Sequence, residues 1–284
     1  MNFTIVIPAH NEALFLPQTL QSLCQQTLLP KEIIVVNDAS TDKTQEVIDT
    51  FSNTYSFVKG IIKQSENKHL PGAKIIHAFN EGLRASKNNY DIVCKFDADL
   101  IFPPNYLETL AKTFQDNPQC GMAGGFCHIK NNHNKWVLES ITGKYHIRGA
   151  LKAYRQSCFQ AIGGLKPDMG WDTADELLAY YHNWEVVTLP HLIVKHLRPT
   201  GKSYGKIGYI KQGQAFKKLR HGFILSTLSA LKLAWRKKSL RFFIYCMWAY
   251  LTHKPQNYLV TTIEGKFVRR YRWNQLKKLL LRRL

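Results

Sequence analysis

The chain is 284 residues long, 45% hydrophobic, 21% charged and 12% aromatic. That length buries a full apolar core without disulfide or metal staples, and the composition excludes disordered and fibrous classes. Lys and Arg number 39 against 20 Asp and Glu, a net charge of +19, and the excess is confined to one end. Residues 1–194 hold 17 basic and 19 acidic side chains, whereas 195–284 hold 22 basic ones and a single acid, Glu264. This reads as a near-neutral globular domain, 1–199, followed by a basic attachment region, 200–284.

Residues 1–126 alternate between strand-like and helix-like segments. Residues 3–7 form an unbroken apolar run, the pattern of a parallel strand buried on both faces. Leu16, Leu20, Leu23 and Cys24 recur at helical spacing and predict a helix over 12–25. A second strand is expected at 33–36, then a helix over 42–51 with Ser40, Thr41 and Asp42 as capping side chains. The third strand falls at 58–62. Ile75, Ile76, Phe79 and Leu83 predict a helix over 72–86, and the fourth strand follows at 92–96. Pro104 opens a helix over 104–114, where its missing N–H costs nothing. A fifth strand is expected at 121–126. Such alternation predicts an α/β fold, a mainly parallel sheet with helices on both faces. The six cysteines form no C-x-x-C pair and lie mostly in apolar runs, which reads as reduced core thiols of a cytoplasmic protein. The N-terminus lacks the basic start of a signal peptide, and no apolar stretch reaches the roughly 20 residues of a membrane span.

Ligands of such sheets bind beyond the C-terminal ends of the strands. There the sequence places His10, Asn11 and Glu12 after the first strand, Asn37 and Asp38 after the second, and Asp97 and Asp99 after the fourth. Acids at three strand ends facing one crevice point to a nucleotide or metal site. Asp97-Ala98-Asp99 offers hard oxygen ligands suited to Mg²⁺ or Mn²⁺, ions that bridge carboxylates to substrate phosphates. Alone, an Asp-x-Asp triplet reads equally as a turn with two capping acids; here it has company.

The segments VIPAHNE (6–12), VVNDASTDKT (35–44) and FDADL (96–100), in that order and spacing, resemble inverting family 2 glycosyltransferases of the GT-A fold. The resemblance covers about residues 3–200. It implies a nucleoside-diphosphate-sugar donor, UDP-linked by preference, held by Pro8, Ala9 and Glu12 with Asp38 on the base. Asn37 stands where the family pairs two Asp residues. Gly72-Ala73-Lys74 is similar to a third nucleotide-contacting segment and would put Lys74 near the diphosphate or the base. Asp97 would face the ribose, Asp99 would ligate the metal, and His196 would reach the same ion or the phosphates. The general base of inverting transfer would be Asp172, with Asp175 one helical turn on as its rival. The rival role for both acids is capping a helix over 174–182. Trp171 would stack on a sugar or simply pack, and Gly124 and Gly125 would leave room for the donor sugar.

Beyond Pro199 the apolar spacing turns helical, with Ile224, Leu225, Leu228, Leu231 and Leu233 ahead of Trp235. Basic clusters at 217–220, 236–241, 269–272 and 277–278 flank aromatic and aliphatic side chains, the composition of helices lying on an anionic membrane. The ending 269–284 also resembles the tails of membrane-associated family members that build bacterial surface polysaccharides. The expected partners are a glycan or lipid-linked acceptor and the inner face of the membrane. A nucleic-acid partner lacks any supporting motif. Two other classes remain at this stage. A sugar-phosphate nucleotidyltransferase would need a Gly-rich phosphate loop near its N-terminus, which VIPAHNE lacks; a non-catalytic nucleotide-binding or membrane scaffold would leave the acids without a role.

Overall fold

The apolar runs of the N-terminal half pair side by side as the core strands of a sheet. A computed structural model describes residues 1–64, 72–87, 89–139, 145–198 and 205–281; the composition break at Pro199 lies outside them. The chain divides into two units, 1–167 with 182–200, and 168–181 with 201–284.

The first unit carries β1 (Phe3–Ala9), α1 (Leu16–Cys24), β2 (Glu32–Asp38), α2 (Thr44–Thr54), β3 (Val58–Lys63), α3 (Ala73–Arg84), β4 (Ile92–Phe96), β5 (Leu100–Ile101), α4 (Tyr106–Asp116), β6 (Cys120–Lys130), β7 (Trp136–Leu138), β8 (Leu151–Arg155), α5 (Gln156–Ala161) and β9 (Glu185–His196). The strands form one sheet in the order β3-β2-β1-β4-β8-β6-β9-β5, with β7 on β6. From β3 to β4 the pairing is parallel. Every residue of β1, β2 and β4 is buried, as strands covered on both faces require. α3 lies on the face of Val6, Ile34 and Val36, where a Cβ on Gly82 would fall 2.6 Å from Val6 Cγ1; only glycine lets the helix come so close. α2 covers the other face, with Ile48 over Gly60, whose partner Val35 points away from Val36. Past β4 the sheet is mixed. β8 runs antiparallel between β4 and β6, β6 and β9 are parallel across two register shifts, and β5 returns antiparallel on β9.

Three expectations shift. The first helix starts at Leu16 rather than residue 12, because the Glu12 carbonyl accepts from Phe15 and Leu16 in a turn entered through Asn11 at φ 56°. Ser40 and Thr41 bind the loop after β1 rather than capping α2, whereas Asp42 does both, accepting from Ala13 N–H and, at 3.0 Å, from Thr44 N–H at the start of the helix. Gly124 and Gly125 lie inside β6, where added Cβ atoms would strike Ile147 and the Leu192 carbonyl, so core packing accounts for both. All six cysteines are buried and none forms a disulfide.

The second unit is helical: α6 (Trp171–Tyr181), α7 (Gly205–Lys218), α8 (Phe223–Arg236), α9 (Leu240–Thr252) and α10 (Thr262–Leu281). Its core gathers Phe216, Ala230, Ala234, Phe242, Cys246, Met247 and Tyr250. α7 crosses α9 at Gly213, where a Cβ would sit 2.0 Å from the Cys246 carbonyl oxygen. α10 docks on α6 through rings: Tyr271 stacks on Tyr180 at 5.0 Å and Phe267 meets Tyr181 edge-on at 5.5 Å. Trp171, a candidate sugar platform, is buried at the start of α6, which is a packing position.

His221 sits in this interior, its ring stacked 5.4 Å from Phe216, with both ring nitrogens lacking a hydrogen-bond partner among the described residues. Burial, helped by the Arg272 charge, pushes its pKa down to about 3. An unfolded histidine titrates near 6.5, so between these values the unfolded state holds a proton that the folded state refuses. Stability therefore falls as pH drops from about 6.5 toward 3, by roughly 1.4 kcal/mol per pH unit from this residue. Denaturant titrations of His221→Phe across this range should show a slope shallower by one proton; an unchanged slope would mean that His221 titrates in the folded protein.

Candidate active site

The loops after β1 and β2 are tied to each other by short polar side chains. Thr41 N–H donates to Asn11 Oδ1 (2.8 Å), Asn11 N–H to Ser40 Oγ (3.0 Å), Glu12 N–H to Thr44 Oγ1 (2.8 Å) and Ala13 N–H to Asp42 Oδ2 (3.1 Å). His10 Nδ1 lies 2.7 Å from the Asp38 carbonyl oxygen. Asn37 serves inside its own loop, accepting from Ser40 N–H and donating to Gln45. Pro8 and Ala9 are buried at the end of β1, opposite Val36 and Asn37.

Beyond these loops the acids converge with cations. Arg198 donates from Nη2 to Glu12 and lies 3.4 Å from Asp99 through Nε. His196 Nε2 is 3.5 Å from Asp99 Oδ1, and its Nδ1 is 2.8 Å from Glu139 Oε2. Arg148 Nη1 is 3.0 Å from the same Glu139 oxygen. Asp38 pairs with Lys63 at 3.2 Å, and half-buried Asp97 pairs with the buried Lys95. Strand pairing creates this geometry. β5 sets Leu100 opposite His196, so Asp99 reaches the end of β9, while Glu139 N–H bonds the Cys127 carbonyl and follows β7 along β6 to the same place.

The electrostatics follow from burial against pairing. Burial raises the Glu12 pKa to about 7 despite the attraction of Arg198, and Glu12 Oε2 is buried with no hydrogen-bond partner among the described residues. At His196 burial disfavours the cation, but hydrogen bonds to Asp99 and Glu139 and their charges outweigh it and lift the pKa to about 9. A carboxylate and an imidazole nitrogen 3.5 Å apart, both nearly buried, suit neighbouring ligands of one divalent ion. Cys127, Glu139 and His196 also offer ligand atoms within 4.8 Å of one another. There the Glu139 oxygen already binds Nδ1, and burial keeps the Cys127 thiol protonated, so the Asp99–His196 side is the better seat for a hard cation.

The structure thus brings Glu12, Asp99 and His196 into one cluster, with Asp38 and Asp97 at adjoining strand ends. Lys74 is half-buried in the first turn of α3. In the second unit Asp172 is half-buried in the first turn of α6, whereas Asp175 is 3% exposed and its Oδ1 accepts from Glu176 N–H. Sequence reasoning missed Arg198 and Glu139 as members of the cluster, and it placed Arg148, which pairs with Glu139, on an acceptor-side strand by resemblance. Arg198, two residues past His196, was within reach of a local reading; Glu139 was not, because its signal is a pairing across 57 residues.

The profile of "Glycosyl transferase family 2" matches residues 4–168, and the chain belongs to that family. A Bacillus subtilis (strain 168) protein, "Probable glycosyltransferase YdaM", is 38% identical over 197 residues, 62% of this chain and 44% of that protein. "Poly-beta-1,6-N-acetyl-D-glucosamine synthase" of Staphylococcus epidermidis is 28% identical over 141 residues, 50% of this chain and 31% of that protein. The chain therefore spans less than half the length of these relatives. Among solved structures, "Mannosyltransferase PcManGT from Pyrobaculum calidifontis in complex with GDP-Man and Mn2+" shares the fold at TM-score 0.59 and 19% identity, over 89% of this chain and 76% of that one. S. aureus TarS in complex with UDP-GlcNAc does so at 0.56 and 17%, over 76% and 67%.

Arg198→Met should move the Glu12 midpoint above pH 7, since it deletes the one attraction that opposes burial and leaves Asp99 repelling. Carbon-13 NMR titration of the labelled carboxyl reads this directly. A midpoint that stays put would mean that Arg198 and Glu12 do not pair in solution.

Proposed function

We propose that this chain transfers one sugar, with inversion, from a nucleoside-diphosphate sugar to a hydroxyl of a glycan or lipid-linked acceptor. The observation that carries the reading is the convergence of Glu12, Asp99, His196 and Arg198 beyond the C-terminal ends of parallel strands, in a chain of family 2. Donor complexes of two structural neighbours, one with UDP-GlcNAc and one with GDP-Man and Mn²⁺, support a nucleotide-sugar donor. Asp38 and Lys74 bind the base and diphosphate end, with UDP the favoured carrier, Pro8 and Ala9 line the nucleotide, and Asp97 faces the ribose. The buried, unpartnered Glu12 oxygen is an acceptor waiting for a donor hydroxyl.

Asp99 and His196 are the residues that would hold Mg²⁺ or Mn²⁺; when bound, the ion supplies charge stabilisation to the departing diphosphate. Glu139 orients His196 by accepting from Nδ1, which leaves Nε2 to face the ion. Asp172 takes the proton of the acceptor hydroxyl as its oxygen bonds the anomeric carbon. The bond from that carbon to the diphosphate oxygen breaks on the opposite face, and the nucleoside diphosphate leaves with the electron pair. Accessibility favours Asp172 over the buried Asp175. The basic C-terminal helices hold the chain at the cytoplasmic face of a membrane, where a lipid-linked acceptor lies. No helix among the described residues is long and apolar enough to cross a membrane.

Titration with Mn²⁺ followed by electron paramagnetic resonance tests the ion site. Asp99→Ala should abolish binding, and Glu139→Gln should weaken it by about 10–100-fold with the fold intact. Wild-type affinity in both variants would remove the ion from Asp99. For the chemistry, Asp172→Asn should keep donor binding by calorimetry while losing about a thousandfold or more in transfer. The same pattern in Asp175→Asn alone would assign the base there instead.

A further inference from the structure

We propose that the α8–α9 hairpin is the surface that docks this chain on an anionic lipid bilayer, a placement that rests on the membrane reading above. Three residues join α8 to α9. Along α8 the exposed apolar side chains are Phe223, Ile224, Leu228, Leu231 and Trp235, and along α9 they are Leu240, Ile244, Trp248 and Leu251. From Ile224 and from Leu240 onward, intervals of three and four residues align each set as one stripe along its helix. The opposite faces are already spent in the core, through Ala230 and Ala234 of α8 and Phe242, Cys246 and Met247 of α9. Folding therefore does not account for the outer stripes. Trp235 is 82% exposed, and at the joint Leu231, Trp235, Leu240 and Phe243 line one concavity together with Arg236 and Lys238.

Charge selects the occupant. Residues 223–252 include Lys232, Arg236, Lys237, Lys238 and Arg241 and no Asp or Glu. Four of the five cations stand at the joint, beside Trp235. An indole with an apolar body and a polar N–H, next to ammonium and guanidinium groups, suits the boundary between acyl chains and anionic headgroups. Length excludes spanning: 14 and 13 residues make helices about 21 and 20 Å long, against a hydrocarbon core of roughly 30 Å. The hairpin therefore lies in the interface, with its stripes among the outer acyl carbons. The other basic helices are engaged elsewhere: α7, with Lys206, Lys211, Lys217 and Lys218, packs on α9 through Gly213 and puts Phe216 in the core. In α10, Val268 is fully buried and Phe267 and Tyr271 pack on α6.

Flotation of the full chain with phosphatidylcholine vesicles, with and without phosphatidylglycerol, tests this. The wild type should float with the mixed vesicles and far less with phosphatidylcholine alone. Trp235→Ser with Trp248→Ser should reduce binding to the mixed vesicles about tenfold or more at unchanged circular dichroism. Trp235→Phe with Trp248→Phe should still bind but lose most of the fluorescence quenching by brominated acyl chains, and this comparison decides should the serine variant fail to fold. Undiminished binding and quenching in these variants would overturn the hairpin while leaving membrane attachment to other basic residues. Absence of wild-type binding would overturn both. A concentration-dependent dimer that the serine variant abolishes, without vesicle binding, would assign the face to a second copy.

Discussion

Carboxylates gathered at the ends of parallel strands repel one another, and the cations threaded among them are the constraint on which the site depends. Two buried carboxylates at roughly 5 Å cost about 3 kcal/mol at an effective dielectric near 20. Arg198 answers Glu12 and Asp99 together, Arg148 and His196 share Glu139, Lys63 answers Asp38, and Lys95 answers Asp97. Compensation is incomplete at Glu12, whose pKa stays near 7 because burial outweighs its ion pair.

The strand-end loops show how such a cluster is held still. Asn11 and Ala39 both adopt left-handed backbone, at φ 56° and 54°, immediately beyond or at the ends of β1 and β2. For alanine that conformation is unfavourable and is retained where the surroundings impose it. Here the Ala39 N–H bonds the Lys63 carbonyl, and the reciprocal bonds between 11–13 and 40–44 lock the two loops. Several residues of the conspicuous polar motifs thus bind one another and fix the two loops.

The second unit solves a different problem. Its helices carry most of a large positive charge, yet they fold around an apolar core with close crossings at Gly213 and ring stacking between α6 and α10. Self-repulsion among exposed lysines and arginines is weak in water and screened by salt, so a modest core suffices. Polar side chains enter this interior as well, among them Ser226, Asp175, Glu176 and His221, and burial pushes the His221 pKa down.

Apart from the two-residue β5, the strand and helix order of 1–126 was legible in the sequence, because periods of two and 3.6 are local properties of the chain, and the acids at the strand ends were marked there too. The sequence also separated the basic region, since charge is additive along the chain. Only the tertiary structure decided that the sheet turns mixed after β4, because antiparallel β8 and β5 pair across long separations that no local pattern encodes. For the same reason Glu139 joined the site only in three dimensions, 57 residues from His196. Gly124 and Gly125, read as room for a donor sugar, are packed, and Trp171, left open between stacking and packing, is buried, because side-chain type does not reveal which face of a strand or helix turns inward.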